Sequence, residues 1–170
     1  MGDFYYTGKI NKKDKSIRNK FHGFFTRNGG VSQGNFYSLN CAFNKKEDDS
    51  NVIKNRKIVC SKITESESEL ILINQIHSNK VLEIDQNNKK DKIIGDGLIT
   101  KEKGLFLGIL TADCAPLVFL GEEYVAIIHV GWKGLLNEII ERTVNLLKKK
   151  GEKESGLSCC IGPHLQCKSF

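Results

Sequence analysis

Two of the four histidines stand directly after apolar runs that read as buried strands. His77 ends ILINQIH, and His129 ends YVAIIH ahead of Val130-Gly131-Trp132-Lys133-Gly134. Between them the run LFLGIL…PLVFL is interrupted by Thr111-Ala112-Asp113-Cys114. Polar groups set into such a run need partners, because burying one alone costs about 1–3 kcal/mol. Strand ends carrying a histidine, a cysteine and a histidine can converge on one point. Two neutral imidazoles and a thiolate supply three ligands to zinc, and a tetrahedral ion then keeps its fourth position for water or substrate. Zinc would also ionise Cys114 and bring the pKa of a bound water to about 7. The competing reading makes Cys114 a small buried residue and the two histidines satisfied core or surface groups. Spacing alone favours that reading, since no compact metal-ligand spacing is present.

The segment after His129 is a second candidate. A strand, a loop with Gly131 and Gly134, and a helix start present free backbone N–H groups to an anion, and Lys133 adds a point charge. Phosphate fits such a place; equally, the glycines serve only a tight turn. Arg27 stands beside another glycine turn, Gly29-Gly30, and is weak evidence alone. The phosphate loop GxxxxGK[ST], the dinucleotide fingerprint GxGxxG and the zincin motif HExxH are missing. So is the H-x-E…P-C-x-x-C pattern of zinc deaminases.

The elements that must position these residues follow from hydrophobic period. Residues 21–28 read as a strand entering the Asn28-Gly29-Gly30 turn, followed by a polar loop through Asn40. Residues 51–63 read as a helix with Ser50 as N-cap. Strand-like runs follow at 70–76, 81–84, 93–100, 105–111, 117–120 and 124–130, with one more at 157–162. The strongest helix spans 135–149, with Leu135, Leu136, Ile139, Ile140, Val144 and Leu147 on one apolar face and Lys148–Lys150 at its end. Strands outnumber helices and short polar turns join them, which predicts an α+β fold: a mixed sheet flanked by helices.

The chain's 170 residues favour one domain, 1–170. A net charge of +6 suits an anionic partner, but the lysines are scattered and read as a solvated surface, so no nucleic-acid partner is expected. No run of about 18 apolar residues occurs, so no membrane span is expected. The start lacks the apolar stretch of an export signal, which places the six cysteines, reduced, in a cytosol-like compartment. Most of them read as small buried residues. The chain stops soon after its last strand, at Lys168-Ser169-Phe170, with no closing element, which reads as a missing C-terminal part.

The strings RNGGVSQGNFYSLN, NQIHSNKV, DGLIT, LTADCAPLVF, HVGWKG and CIGPH, in this order, resemble the YfiH family from about Phe21 to Phe170. These are the laccase-domain, or polyphenol-oxidoreductase-like, proteins regarded as purine nucleoside phosphorylases. The resemblance implies one zinc held by His77, Cys114 and His129. It implies phosphorolysis of adenosine, inosine or guanosine to base and ribose 1-phosphate, with adenosine deamination and methylthioadenosine phosphorolysis as associated activities. The implied fold is α+β, shared with the catalytic domain of cytotoxic necrotising factors. The laccase name sits poorly with four histidines, since a multicopper oxidase needs on the order of ten. A single His2Cys copper site remains an alternative. Lys133 stands where the family usually carries Arg, Ser78 replaces a common Gly, and Val130 replaces Ala. Family members also continue past the point where this chain halts.

On this basis a purine nucleoside and phosphate are the expected partners, and zinc the expected cofactor, with copper as alternative. Arg27 and Lys133 are expected at phosphate, and Asn40 and Gln75 at base or ribose. Asp96 or Asp113 is expected as general acid/base or as the group orienting a histidine ligand, the orienting place being favoured for Asp113 because it adjoins Cys114. The competing functions are a copper-dependent polyphenol oxidoreductase, a metal-free hydrolase with Cys114 as nucleophile and His129 as base, and an inactive truncated paralogue.

Overall fold

The structure, a computed structural model, describes residues 20–43, 45–63, 69–89 and 92–166, with the short strand at 5–6. The described residues fall into two compact units, one of 5–6 and 21–70, the other of 20 and 71–166.

In the first unit β1 (Tyr5–Tyr6) pairs antiparallel with β2 (Phe24–Phe25). The strand expected over 21–28 contracts to β2. Helix α1 (Asp49–Ile63) follows the loop. Its cap is Asp48, whose Oδ1 accepts the Ser50 amide at 2.8 Å; Ser50, expected as the cap, lies inside the helix. Asn55 is fully buried on α1 and collects the loop's backbone. Its Oδ1 accepts the Val31 amide at 2.8 Å, and its Nδ2 donates to the Asn40 carbonyl at 2.8 Å. Buried loop groups need such partners. Gly30 permits the approach, because a Cβ there would run into the Ser38 carbonyl and Asn55 Oδ1.

The second unit is built on a five-stranded sheet ordered β4 (Val81–Glu83), β5 (Gly97–Thr100), β8 (Val125–Val130), β7 (Ala115–Leu120), β9 (Ser158–Ile161). The β4–β5 pair is parallel and the others antiparallel, so the sheet is mixed. A smaller sheet joins β3 (Leu70–Leu72) to β6 (Phe106–Gly108). Neighbouring residues on a strand face opposite sides. Ile99 and Ile128 therefore pack with Ile139 and Leu147, whereas Leu98 and Ile127 pack with Ile71, Ile73 and Ile84. Apolar cover on both faces leaves all of β5 buried, which explains why it carries no charged residue and why its one hydroxyl, on Thr100, donates to the Ile84 carbonyl.

Two helices follow β8: α2 (Trp132–Leu136) and α3 (Ile139–Lys149). The single helix expected over 135–149 is thus broken, at Asn137-Glu138, where Glu138 takes a left-handed φ of 61°. Leu135 and Leu136, expected on the apolar face, are exposed on α2; Ile139, Thr143 and Leu147 bury α3. Gly134 lies inside α2 rather than in a loop, and a Cβ there would sit 3.1 Å from the Ser78 carbonyl. The short helix therefore lies against the segment after His77.

The turn between β7 and β8 is held from two sides. Glu152, buried, accepts the amides of Glu122, Glu123 and Tyr124 at 2.7, 2.7 and 2.6 Å. Lys20 donates to the carbonyls of Gly121 and Glu122 at 2.5 and 2.7 Å. Burial pushes the Glu152 carboxyl up, but the three amides and Lys20 outweigh it and hold it below its ordinary value.

The fold is α+β, a mixed sheet with helices, as expected. Of the five described cysteines, all free thiols, only Cys60 is buried and Cys159 is exposed, which corrects the expectation of mostly buried cysteines. Cys167 lies outside the described residues. No described helix is long and apolar enough to cross a membrane.

Candidate metal centre

Strand register assembles the site at one end of the five-stranded sheet. β7 and β8 pair Ala115 with Val130 and Pro116 with His129. One step further out, Cys114 stands opposite Gly131, two residues on from His129. Side chains two apart along a strand share a face, so the register alone sets Cys114 and His129 side by side. On the other flank β5 pairs Gly97 with Ile128, and the next rung sets Asp96 opposite His129. There the His129 amide donates to the Asp96 carbonyl at 2.7 Å. β4 runs parallel to β5, so the segment entering it arrives at this same end and carries His77.

The ligand atoms of His77, Cys114 and His129 all lie within 4.8 Å of one another. His129 is buried, Cys114 half-buried and His77 exposed. The two imidazoles meet edge to face, with centroids 4.8 Å apart. Gly131 leaves the space between ligands clear: a Cβ there would lie 2.8 Å from His77 Nδ1 and 3.2 Å from Cys114 Sγ.

Asp96 is fully buried behind the group. Its Oδ1 lies 2.8 Å from His129 Nδ1 and accepts the His77 amide at 3.0 Å. Its Oδ2 accepts the Ser78 amide at 2.6 Å, the Ser78 hydroxyl at 2.7 Å and the Ile76 amide at 3.3 Å. Burial pushes this carboxyl up, but His129, Ser78 and Ile76 outweigh it and hold it below its usual value. Burial and the carboxylates of Asp113 and Asp96 push the Cys114 thiol up.

The donor set fits a metal ion. A tetrahedral centre with bonds of about 2.0–2.3 Å holds its donors roughly 3.4–3.8 Å apart, so the three side chains need close by only about 1 Å. With His129 Nδ1 turned to Asp96, Nε2 is the ring nitrogen left for a metal. A thiolate and two imidazoles suit zinc and also copper.

The other expected residues have the following places. The carboxylate on a histidine ligand is that of Asp96, not the favoured Asp113, which is exposed and whose carbonyl accepts the Leu165 amide at 2.9 Å. Adjacency to Cys114 in sequence misled, because register rather than adjacency sets neighbours across a sheet. Lys133 is exposed in α2, its ammonium 5.4 Å over the Trp132 ring. Both ends of the Gln75 amide engage Leu110: Nε2 donates to its carbonyl at 2.7 Å and Oε1 accepts its amide at 2.8 Å. Gln75 thus ties the segment before His77 to that before Cys114. Arg27 and Asn40 belong to the first unit. Arg27 donates to the Tyr37 carbonyl from Nε at 3.1 Å, and Asn40 folds onto Ala42, accepting its amide at 3.1 Å. Sequence reasoning read Gly131 as part of an anion loop or turn and Ser78 as a replaced glycine, not as neighbours of the ligands; the only signals for that were their positions beside His129 and His77.

A mixed α+β sheet with a His–Cys–His group at one end defines the class: a protein with a candidate mononuclear metal centre built on strand termini. The chain belongs to the family described as multi-copper polyphenol oxidoreductase laccase, whose model matches residues 21–170. It is 32% identical over 168 residues to the purine nucleoside phosphorylase YlmD of Bacillus subtilis, covering 92% of this chain and 59% of that protein. A purine nucleoside phosphorylase of Bacteroides thetaiotaomicron is 31% identical over 166 residues, covering 91% and 62%. Among solved structures, the hypothetical protein YfiH of Bacillus licheniformis superposes with a TM-score of 0.78 at 27% identity, covering 88% of this chain and 60% of that one. The chain therefore spans about 60% of the length of these relatives.

Proposed function

We propose that this chain carries the metal centre of a zinc-dependent purine nucleoside phosphorylase acting on adenosine, inosine or guanosine. The His77–Cys114–His129 group carries the reading, supported by relatives named purine nucleoside phosphorylase. In this reaction the bond between ribose C1′ and the purine nitrogen breaks, a phosphate oxygen bonds to C1′, and the base leaves with a proton. A bound zinc supplies Lewis acidity. His77, Cys114 and His129 hold it, and Gly131 keeps the space beside the ligands clear. Lys133 meets phosphate as a point charge rather than a bidentate fork. Asp113, exposed and next to Cys114 in the chain, is taken as the carboxylate that moves a proton, since Asp96 is committed to its hydrogen bonds. Adenosine deamination and methylthioadenosine phosphorolysis belong to the same proposal as further activities. A reducing, cytosol-like compartment suits the thiol ligand.

One observation favours a second reading. Asp96 on His129 Nδ1, with Cys114 in the same group, is an arrangement that activates a thiol nucleophile in a metal-free hydrolase. His77 has no part in such a triad but completes a ligand set, so zinc is preferred.

The test incubates the purified full chain with inosine and phosphate and measures ribose 1-phosphate. Release above that of a Cys114→Ala control is expected, and its loss on chelation with return on adding zinc. No release above the control rejects phosphorolysis; undiminished ribose 1-phosphate after chelation rejects the zinc requirement, and free ribose formed in place of ribose 1-phosphate after chelation favours the hydrolase.

A further inference from the structure

We propose that Asp96 is a positioning residue that sets both histidine ligands at once, so that the His77–Cys114–His129 group is formed before metal arrives. This rests on the reading of that group as a metal centre. The carboxylate receives five donors, the His129 ring nitrogen, three successive amides of Ile76, His77 and Ser78, and the Ser78 hydroxyl. A carboxylate offers about four acceptor sites, so this one is saturated. Nothing remains for a substrate or for proton transfer, which leaves positioning as its work.

It acts on the two ligands in different ways. On His129 it acts on the ring. With Nδ1 as donor to Asp96, the lone pair is left on Nε2, and the ring is fixed in the tautomer that ligation needs. On His77 it acts on the backbone. Three consecutive N–H groups turned to one anion form a nest, and His77 adopts the left-handed φ of 57° that such a curl requires. A non-glycine residue holds that conformation only when its surroundings impose it. Asp96 itself cannot drift. Its amide donates to the Lys80 carbonyl at 2.9 Å on the β4 side, and its carbonyl accepts the His129 amide on the β8 side.

Asparagine is no conservative replacement. One of its two terminal atoms would be an NH2, and donors face both Asp96 oxygens. Either orientation sets donor against donor.

The first arm needs no variant and no metal. In the metal-free full chain, at a pH where the ring is neutral, imidazole 15N shifts should show His129 with Nδ1 protonated and Nε2 bare. A Cys114→Ala variant should keep that signature while losing zinc binding. The second arm titrates Zn2+ and Co2+ into the wild type and Asp96→Asn. The variant is expected to bind about 10–100-fold more weakly, the loss typical of a removed ligand-orienting partner, and to lose the tautomer signature. Ser78→Ala, which removes one donor of the five, should lose less than about tenfold and keep the signature, and it serves if Asp96→Asn does not fold. A merely structural role would lower stability but leave metal affinity and ring shifts of folded protein unchanged. The proposal is overturned if the neutral ring of metal-free wild-type His129 carries its proton on Nε2, or if folded Asp96→Asn binds zinc as tightly as wild type. Wild type that shows the tautomer yet takes up no zinc would instead overturn the metal-centre reading, leaving the hold of Asp96 on the ring intact.

Discussion

Replacing Gly131 with alanine tests the site by steric means alone. Its φ of −85° and ψ of 166° are open to any residue, so the substitution brings no backbone strain. The added methyl would lie 2.8 Å from His77 Nδ1 and 3.2 Å from Cys114 Sγ. Comfortable contact begins at about 3.5 Å, so the two ligands must retreat by roughly 0.7 and 0.3 Å or more. Metal–ligand bonds tolerate only about 0.2 Å, so the displacement falls on metal binding. His77 is exposed and can swing outward, which spares the fold. Zinc affinity should drop at least about tenfold, or 1.4 kcal/mol, with metal-free stability changed by less than about 1 kcal/mol. Competition against a chromophoric chelator reads the first quantity and urea unfolding the second. At free zinc of about 100 times the wild-type Kd, wild type gains about 2.7 kcal/mol on binding, and a tenfold weaker variant about 1.4. Equal zinc affinity in Gly131→Ala would refute the claim that the ligands close around the space this glycine leaves.

Two further predictions concern the scaffold. In Glu152→Gln, the amide NH2 replaces one acceptor oxygen and faces a backbone N–H, so stability at neutral pH should fall by about 2–3 kcal/mol in urea unfolding. Because the folded carboxyl lies below its ordinary value, its contribution is complete above the unfolded pKa of about 4.3 and is lost as pH falls through the folded one. The gap between wild type and variant should therefore narrow in acid, and a gap independent of pH counts against this account. Glu138 sits in the left-handed region between α2 and α3, where glycine relieves about 1–2 kcal/mol of strain at a cost of about 0.4–1 in the unfolded chain. Glu138→Gly should add a net of about 0.5 kcal/mol of stability, read as a higher urea midpoint at constant slope, and a lower midpoint would refute it.

Much of this was legible in the chain, and the failures have physical causes. Apolar runs gave away β5, β7 and β8, because strands covered on both faces leave little choice of residue. The same runs put His77, Cys114 and His129 at strand ends, and the order of motifs singled them out. Hydrophobic period did not reveal the break before α3, since Leu135 and Leu136 continue the repeat of Ile139 and Ile140 although they are exposed. The left-handed turn at Glu138 has no glycine to announce it. The orienting carboxylate was placed at Asp113 because sequence offers adjacency, whereas Asp96 reaches His129 across a rung of the sheet. Gly131 looked like a turn glycine, yet its φ is ordinary and its use is the volume it leaves empty.

Binding and turnover can come apart in this chain, and the structure says which is the stricter test. The three ligands, Asp96 and Gly131 all fall within 77–131, in one compact unit. Metal uptake therefore draws only on groups whose geometry is described. Phosphorolysis makes wider demands, because a nucleoside and a phosphate must both be oriented to within a few tenths of an ångström of the reacting line. The relatives named for that activity are longer by about two-fifths of their length. One zinc per chain with no ribose 1-phosphate would uphold the centre and reject the activity for this chain. Ribose 1-phosphate formed equally by Cys114→Ala would reject the centre's part in turnover, however well the ligands converge, and leave metal uptake to be judged by titration.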